Sequence, residues 1–143
     1  DPEATARTID AEGWLHSGDQ GLVRADGFVQ FLGRYKEMLK VGGENVSPAA
    51  VEQELQKLVP AIEQVAVVGL ADARLAEVPV AYVVPRAGMT CTVDEVLERC
   101  KGRIASFKIP RHVVVVDSLP MTASGKVQRV LLQARARKEL GGH

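Results

Sequence analysis

At 143 residues, 46% hydrophobic and 25% charged, the chain is long enough to close one domain around a real core, with a fragment of another beside it. Its 18 basic and 18 acidic residues cancel, which argues against a nucleic acid or an anionic membrane surface recruited through bulk charge. No apolar run is long enough to cross a bilayer and no secretory signal opens the chain; Cys91 and Cys100 lack metal-ligand spacing and make no disulfide framework, so reduced thiols in a cytoplasmic protein are expected.

The opening DPEATARTID has no initiator Met and no evident cap of a first core element, and reads as the middle of a larger protein. GFVQFL, residues 27–32, follows the turn ADG and reads as a strand closed by Gly33-Arg34. EMLKVGGENV predicts a β-hairpin, with Gly42-Gly43 supplying the positive φ of a tight turn. In SPAAVEQELQKLVP, Ser47 caps a helix and Pro48 suits its first position. Val51, Leu55, Leu58 and Ile62 fall on one face, and Pro60 ends the helix. VAVVGL (65–70) and VPVAYVV (78–84) are unbroken apolar runs, predicted to be paired, buried strands. TVDEVLERCKGRI predicts a second helix, with Thr92 and Glu95 at capping-box spacing and Val93, Val96, Cys100 and Ile104 on one face. VVVV (113–116) reads as a third buried strand. The loop DSLPMTASGK then leads into a basic amphipathic helix, KVQRVLLQARARKEL. The order implies an α+β fold: a small sheet of about three strands plus a β-hairpin, packed with helices, with residues 1–33 a separate segment.

Several residues invite chemistry. Asp19, in the SGD of residues 17–19, is a carboxylate beside a glycine turn and suits two adjacent hydroxyls; a solvated turn aspartate is the commoner case. Arg34 suits a phosphate or ribose, Gly42-Gly43 a close-passing ligand, and Lys126 a phosphate charge; each alone has an ordinary surface explanation. Gly125-Lys126 is not a Walker loop: position 120, which would be glycine, is Pro, and position 127, which would be Ser or Thr, is Val. His16, His112 and His143 show no ligand spacing, the first two reading as structural and the last as tail. Arg129, Arg135, Arg137 and Lys138 read as the wet face of the last helix, and without aromatic platforms that stripe supports no nucleic-acid site.

The order of these signals is more specific than any one of them. GWLHSGDQG, then FLGRYKEMLKVGGENVSPAAVE, then LPMTASGKVQR resembles the closing portion of the adenylate-forming superfamily, from about Gly13 to Arg129. That superfamily contains acyl-CoA synthetases, aryl-CoA ligases, peptide-synthetase adenylation domains and luciferases. The resemblance implies that residues 1–33 end a large adenylation domain, 34–37 form a hinge, and 38–143 form the small C-terminal domain. It assigns Asp19 to the ribose hydroxyls of ATP, Arg34 to the nucleotide, Lys36 to the hinge pivot, and Gly42, Gly43 and Glu44 to the hairpin that approaches the pantetheine arm of coenzyme A. Lys126 becomes the lysine of acyl-adenylate formation, with Mg²⁺ sharing the charge. Leu15-His16-Ser17 and GGENVSP resemble the acyl-CoA ligase forms of their motifs. The implied reaction is acid plus ATP to acyl-adenylate and pyrophosphate, then thioester and AMP. The implied partners are the N-terminal adenylation domain and a carboxylic acid, a fatty acid from the look of the second motif. Ala76, where relatives commonly have Gly, departs from the pattern at one turn. Without its large domain the fragment should not turn over, and Trp14, Phe28 and Phe31 should lack their packing. A stand-alone interaction module that keeps the fold is the alternative, disfavoured by the presence of Asp19, Arg34 and Lys126.

Overall fold

The two apolar runs at the centre of the sequence form the spine of the fold. In the computed structural model, which describes residues 1–141, the elements are α1 (Pro2–Thr8), β1 (Asp19–Val23), β2 (Val29–Arg34), a 3-10 turn (Tyr35–Glu37), β3 (Leu39–Val41), β4 (Glu44–Val46), α2 (Pro48–Leu58), β5 (Ile62–Asp72), β6 (Ala76–Pro85), α3 (Val93–Cys100), a second 3-10 turn (Ser106–Lys108), β7 (His112–Val115) and α4 (Arg129–Leu140). β5 and β6 pair antiparallel along nearly their whole length, Val67 opposite Ala81 and Leu70 opposite Val78. On its other edge β6 meets β3 at Ala76 and, further on, β7, which runs parallel to it with Val80 opposite His112. The result is a five-stranded sheet, order β4-β3-β6-β5 with β7 against β6. This is the expected α+β architecture of three strands plus a hairpin.

The strands are continuously apolar because both sheet faces are covered. On one face Val65, Val67, Ala81 and Val83 pack against Val51 and Leu55 of α2 and Val96 and Cys100 of α3. On the other, Ala66, Val68, Val80 and Tyr82 pack against Leu132 and Ala136 of α4. The Tyr82 hydroxyl donates to the Leu132 carbonyl at 3.3 Å, so the one large polar tip in that layer is paired. The helix caps follow the sequence: Ser47 Oγ accepts from Ala50 N, and Thr92 Oγ1 from Glu95 N.

Several expectations are corrected. The opening residues form a capped helix, Asp1 accepting from Glu3 and Ala4, although α1 has no buried residue and so contributes nothing to a core. α3 stops at Cys100, leaving Ile104 beyond it, and Val93 is 39% exposed because it sits at the first turn, ahead of the packed face. Of the third strand only Val113 is buried; β7 is an edge, and Val115 faces out. α4 begins at Arg129, not at Lys126, because residues 121–128 are used to close a turn. His143, assigned to the tail, lies outside the described residues, as does Gly142.

β1 and β2 form a separate two-stranded antiparallel ribbon. Trp14, Phe28 and Phe31 are 66%, 72% and 54% exposed, so this segment has no core of its own. It presents a large apolar surface to solvent, which on a soluble domain marks a surface built to be covered.

Candidate functional site

The ribbon brings Asp19 and Arg34 together. They are direct partners across the ladder, and Arg34 Nε lies 3.1 Å from Asp19 Oδ1. The Ser17 hydroxyl accepts the Asp19 N–H, and Tyr35 N donates to Gly18 O, so the SGD turn is pinned to the start of the first 3-10 turn. Both side chains remain open to solvent. A carboxylate with one oxygen engaged by arginine keeps acceptor capacity for a vicinal diol, and the guanidinium keeps donors for a phosphate.

Lys36 sits in the 3-10 turn between the two sheets. With Glu37, Met38, Arg129 and Gln133 it lines a cleft of about 220 Å³. Six residues beyond Lys36, β3 and β4 are joined by Gly42-Gly43 with φ of 58° and 90°, the paired positive angles of a type I′ hairpin. Gly42 N donates to Leu75 O at 2.8 Å, holding the hairpin against the β5–β6 turn. A Cβ at Gly43 would meet nothing within 4 Å, so the tip has an open approach, with Glu44 exposed beside it.

Lys126 lies on a turn that closes on itself. Met121 bridges Val127, Thr122 N donates to Lys126 O at 2.7 Å, Gly125 N donates to Thr122 O, and Lys126 N donates to Thr122 Oγ1 at 3.1 Å. Turn formers and hydroxyls therefore close the loop on itself. The lysine is exposed, and among the described residues its ammonium enters no ion pair.

The feature missed in the sequence is Arg129. Far from forming a wet face, its guanidinium is mostly buried. It grips Glu52 of α2 with both ends, Nη1–Oε1 2.6 Å and Nη2–Oε2 3.1 Å, and donates to Val67 O at 2.9 Å. Glu52 Oε1 also accepts the Val67 N–H. Nε faces Glu37, next to Lys36, at 3.8 Å. Burial pulls the Arg129 pKa down, but the hydrogen bond and charge of Glu52, with Glu37 behind, outweigh it and raise the value. A signal existed: a cation in the first turn of a helix opposes the macrodipole and calls for a nearby carboxylate. Which carboxylate could be read only from the fold.

No set of three or more His, Cys, Asp or Glu side chains gathers among the described residues. No helix among them is long and apolar enough to cross a membrane.

The fold and the arrangement of its three motifs define a class, the closing part of an adenylate-forming enzyme. The chain belongs to the AMP-binding enzyme C-terminal domain family, whose profile matches residues 50–126. It is 49% identical over 133 residues to a 3-[(3aS,4S,7aS)-7a-methyl-1,5-dioxo-octahydro-1H-inden-4-yl]propanoyl:CoA ligase of Rhodococcus jostii (strain RHA1), covering 93% of this chain and 26% of that protein. Among solved structures, ATP-bound MatB from Rhodopseudomonas palustris matches with a TM-score of 0.87 at 34% identity, covering 95% of this chain and 27% of that one. The apo form of MatB matches with 0.75 at 35% identity and the same coverage. The chain thus spans about a quarter of the length of the relatives it matches.

Proposed function

We propose that this chain is the C-terminal portion of an ATP-dependent acyl-CoA ligase, in which Lys126 serves acyl-adenylate formation and the Gly42-Gly43 hairpin serves thioester formation. The observation that carries this reading is an exposed, unpaired lysine on a closed turn, on the same rigid domain as an open glycine hairpin and joined by residues 34–37 to the Asp19–Arg34 pair. A carboxylate attacking the α-phosphorus of ATP builds negative charge on the phosphoryl oxygens as pyrophosphate leaves. A preorganised ammonium stabilises that charge and aligns the reacting oxygens. Asp19 would take the ribose hydroxyls and Arg34 the nucleotide. Lys36 would be the pivot about which residues 38–141 turn, withdrawing Lys126 and bringing up Gly42, Gly43 and Glu44 for the thiol of coenzyme A. The ring of exposed aromatics on residues 1–33 would dock on the large adenylation domain, and the acyl pocket, for a fatty or related acid, would lie there.

The test is to graft this chain in place of the matching segment of the MatB enzyme. The graft should release pyrophosphate in an acid-dependent manner, and Lys126→Ala should lower that rate about 10²- to 10³-fold, the usual cost of one transition-state donor. The isolated chain should be inactive. Pyrophosphate release that is indifferent to Lys126 would refute the assignment.

A further inference from the structure

Residues 1–34 and 38–141 share no strand pairing among the described residues, yet one side-chain hydrogen bond crosses the hinge. The Ser47 hydroxyl, at the cap of α2, donates to the carbonyl of Leu32 in β2. The neighbouring residue, Gly33, is buried with φ of 143°, a conformation that side-chain-bearing residues rarely adopt. A Cβ built there would lie 2.8 Å from Ser47 Oγ and 3.8 Å from Met38 Sδ. Gly33 is therefore glycine because the α2 cap presses against the ribbon at that point. Ser47 is itself only 9% exposed, and its oxygen does two jobs, accepting the Ala50 N–H and donating across to Leu32.

The arrangement so fastened is a particular one. At 34% and 35% identity and the same coverage, the chain fits ATP-bound MatB better than the apo form, 0.87 against 0.75. A one per cent difference in identity, in favour of the apo form, does not account for that gap, which points to how the parts are arranged.

We propose that Ser47 is a positioning residue: its hydroxyl, seated on Leu32 and Gly33, is a latch that holds the small domain in the ATP-bound arrangement and must release before the domain turns. The proposal rests on the hinge reading above. A rotation about residues 34–37 leaves Leu32 with the ribbon and carries Ser47 away, so the bond exists in one arrangement only. It thereby favours the adenylating half-reaction over the thioester-forming one. A single hydrogen bond of this kind shifts such an equilibrium about two- to tenfold.

Two perturbations open the latch from opposite sides. Ser47→Gly removes the hydroxyl, and glycine remains an acceptable cap, so α2 is nearly as stable. Gly33→Ala keeps the Ser47 hydroxyl and drives a methyl against it from the ribbon side. Spin labels at Gln30→Cys on β2 and Lys57→Cys on α2, both exposed, report the arrangement in this chain directly, since Cys91 and Cys100 are buried. The unmodified latch should give one dominant distance, and each variant should move about two- to tenfold more of the population away from it. In the graft with MatB, each should lower pyrophosphate exchange by a similar factor, while thioester formation from supplied acyl-adenylate and coenzyme A is kept or rises. Unchanged distance distributions in both variants overturn the latch, as does an equal fall in the two half-reactions. A shifted distribution with no Lys126-dependent exchange in the parent graft would sustain the latch and sink the ligase reading instead.

Discussion

Arg129 carries the strongest quantitative expectation. Its guanidinium and the Glu52 carboxylate are 26% and 16% exposed, and four of their hydrogen bonds meet at the main chain of Val67 or at each other. Arg129→Met keeps the packing of the stem but strands the Glu52 charge and the Val67 carbonyl. Breaking a fully buried pair from one side costs about 3–5 kcal/mol, and the remaining exposure of both groups brings this to about 2–3 kcal/mol. Glu52→Gln keeps an acceptor for Val67 N and for one guanidinium N–H, and should cost about 1–2 kcal/mol. Because the two residues act as a unit, the double variant should be less destabilised than the sum of the singles by about 1–2 kcal/mol. Urea unfolding of the chain measures all three; with a slope of about 1–2 kcal/mol per molar, Arg129→Met should lower the midpoint by about 1–3 M. Single effects that add within about 0.5 kcal/mol, or a midpoint shift in Arg129→Met below a few tenths molar, would refute the anchored-helix reasoning and return Arg129 to an ordinary surface role.

Other expectations follow from single observations. Ala76 is the one non-glycine residue with positive φ among the described residues, 68°, at the turn between β5 and β6. Relief of that strain, less the entropic cost of glycine, means that Ala76→Gly should stabilise the chain by about 0.5–1 kcal/mol, and a lowered urea midpoint would contradict this. In the same turn the Leu75 and Arg74 N–H groups hold the Asp72 carboxyl below its usual value of 3.8. Its contribution to stability is complete above that value and fades as pH falls through the lowered folded value, so a carboxyl-carbon titration by NMR with a midpoint at or above 3.8 would be inconsistent. Burial pushes the thiols of Cys91 and Cys100 up, aided by Glu95 and Glu54 respectively. Both should react slowly with a disulfide reagent at neutral pH and rapidly once the chain is unfolded in urea; fast labelling of the native chain would show that the helical layer is open.

The small domain was legible where local rules and burial agree. Ser47-Pro48 starts α2 as its cap chemistry requires, Gly42-Gly43 makes the hairpin, and the unbroken runs at 65–70 and 78–84 signalled strands covered on both faces. What failed were choices decided by distant partners. Arg129 has the same local surroundings as Arg135 and Arg137; only the arrival of α2 and β5 turns it inward, and that pairing spans 77 residues of sequence to Glu52. VVVV was read as a buried strand because apolar runs carry no record of being an edge, and β7 has a neighbour on one side only. The pairing of Asp19 with Arg34 was implied as a shared ligand role, while their direct contact needed the ribbon register.

The stiffness of the Lys126 turn decides how the lysine can act. A loop that entered and left a site by itself would need slack, but residues 121–127 are cross-linked by main-chain bonds and followed at once by an anchored arginine. The hairpin at Gly42-Gly43 is likewise tied to Leu75 on the same sheet. Lysine and hairpin are thus fixed relative to one another by a single core, and neither can be brought to a shared reaction centre without carrying the other along. On the proposed function, two chemistries served by one body would call for a turning of that body as a whole, and the segment to absorb it would be the short stretch between Arg34 and Met38, where the ribbon ends and the five-stranded sheet begins. Under that proposal, the contacts that cross the attachment, Ser47 with Leu32 and the close seat on Gly33, would be where the balance between the two arrangements is set.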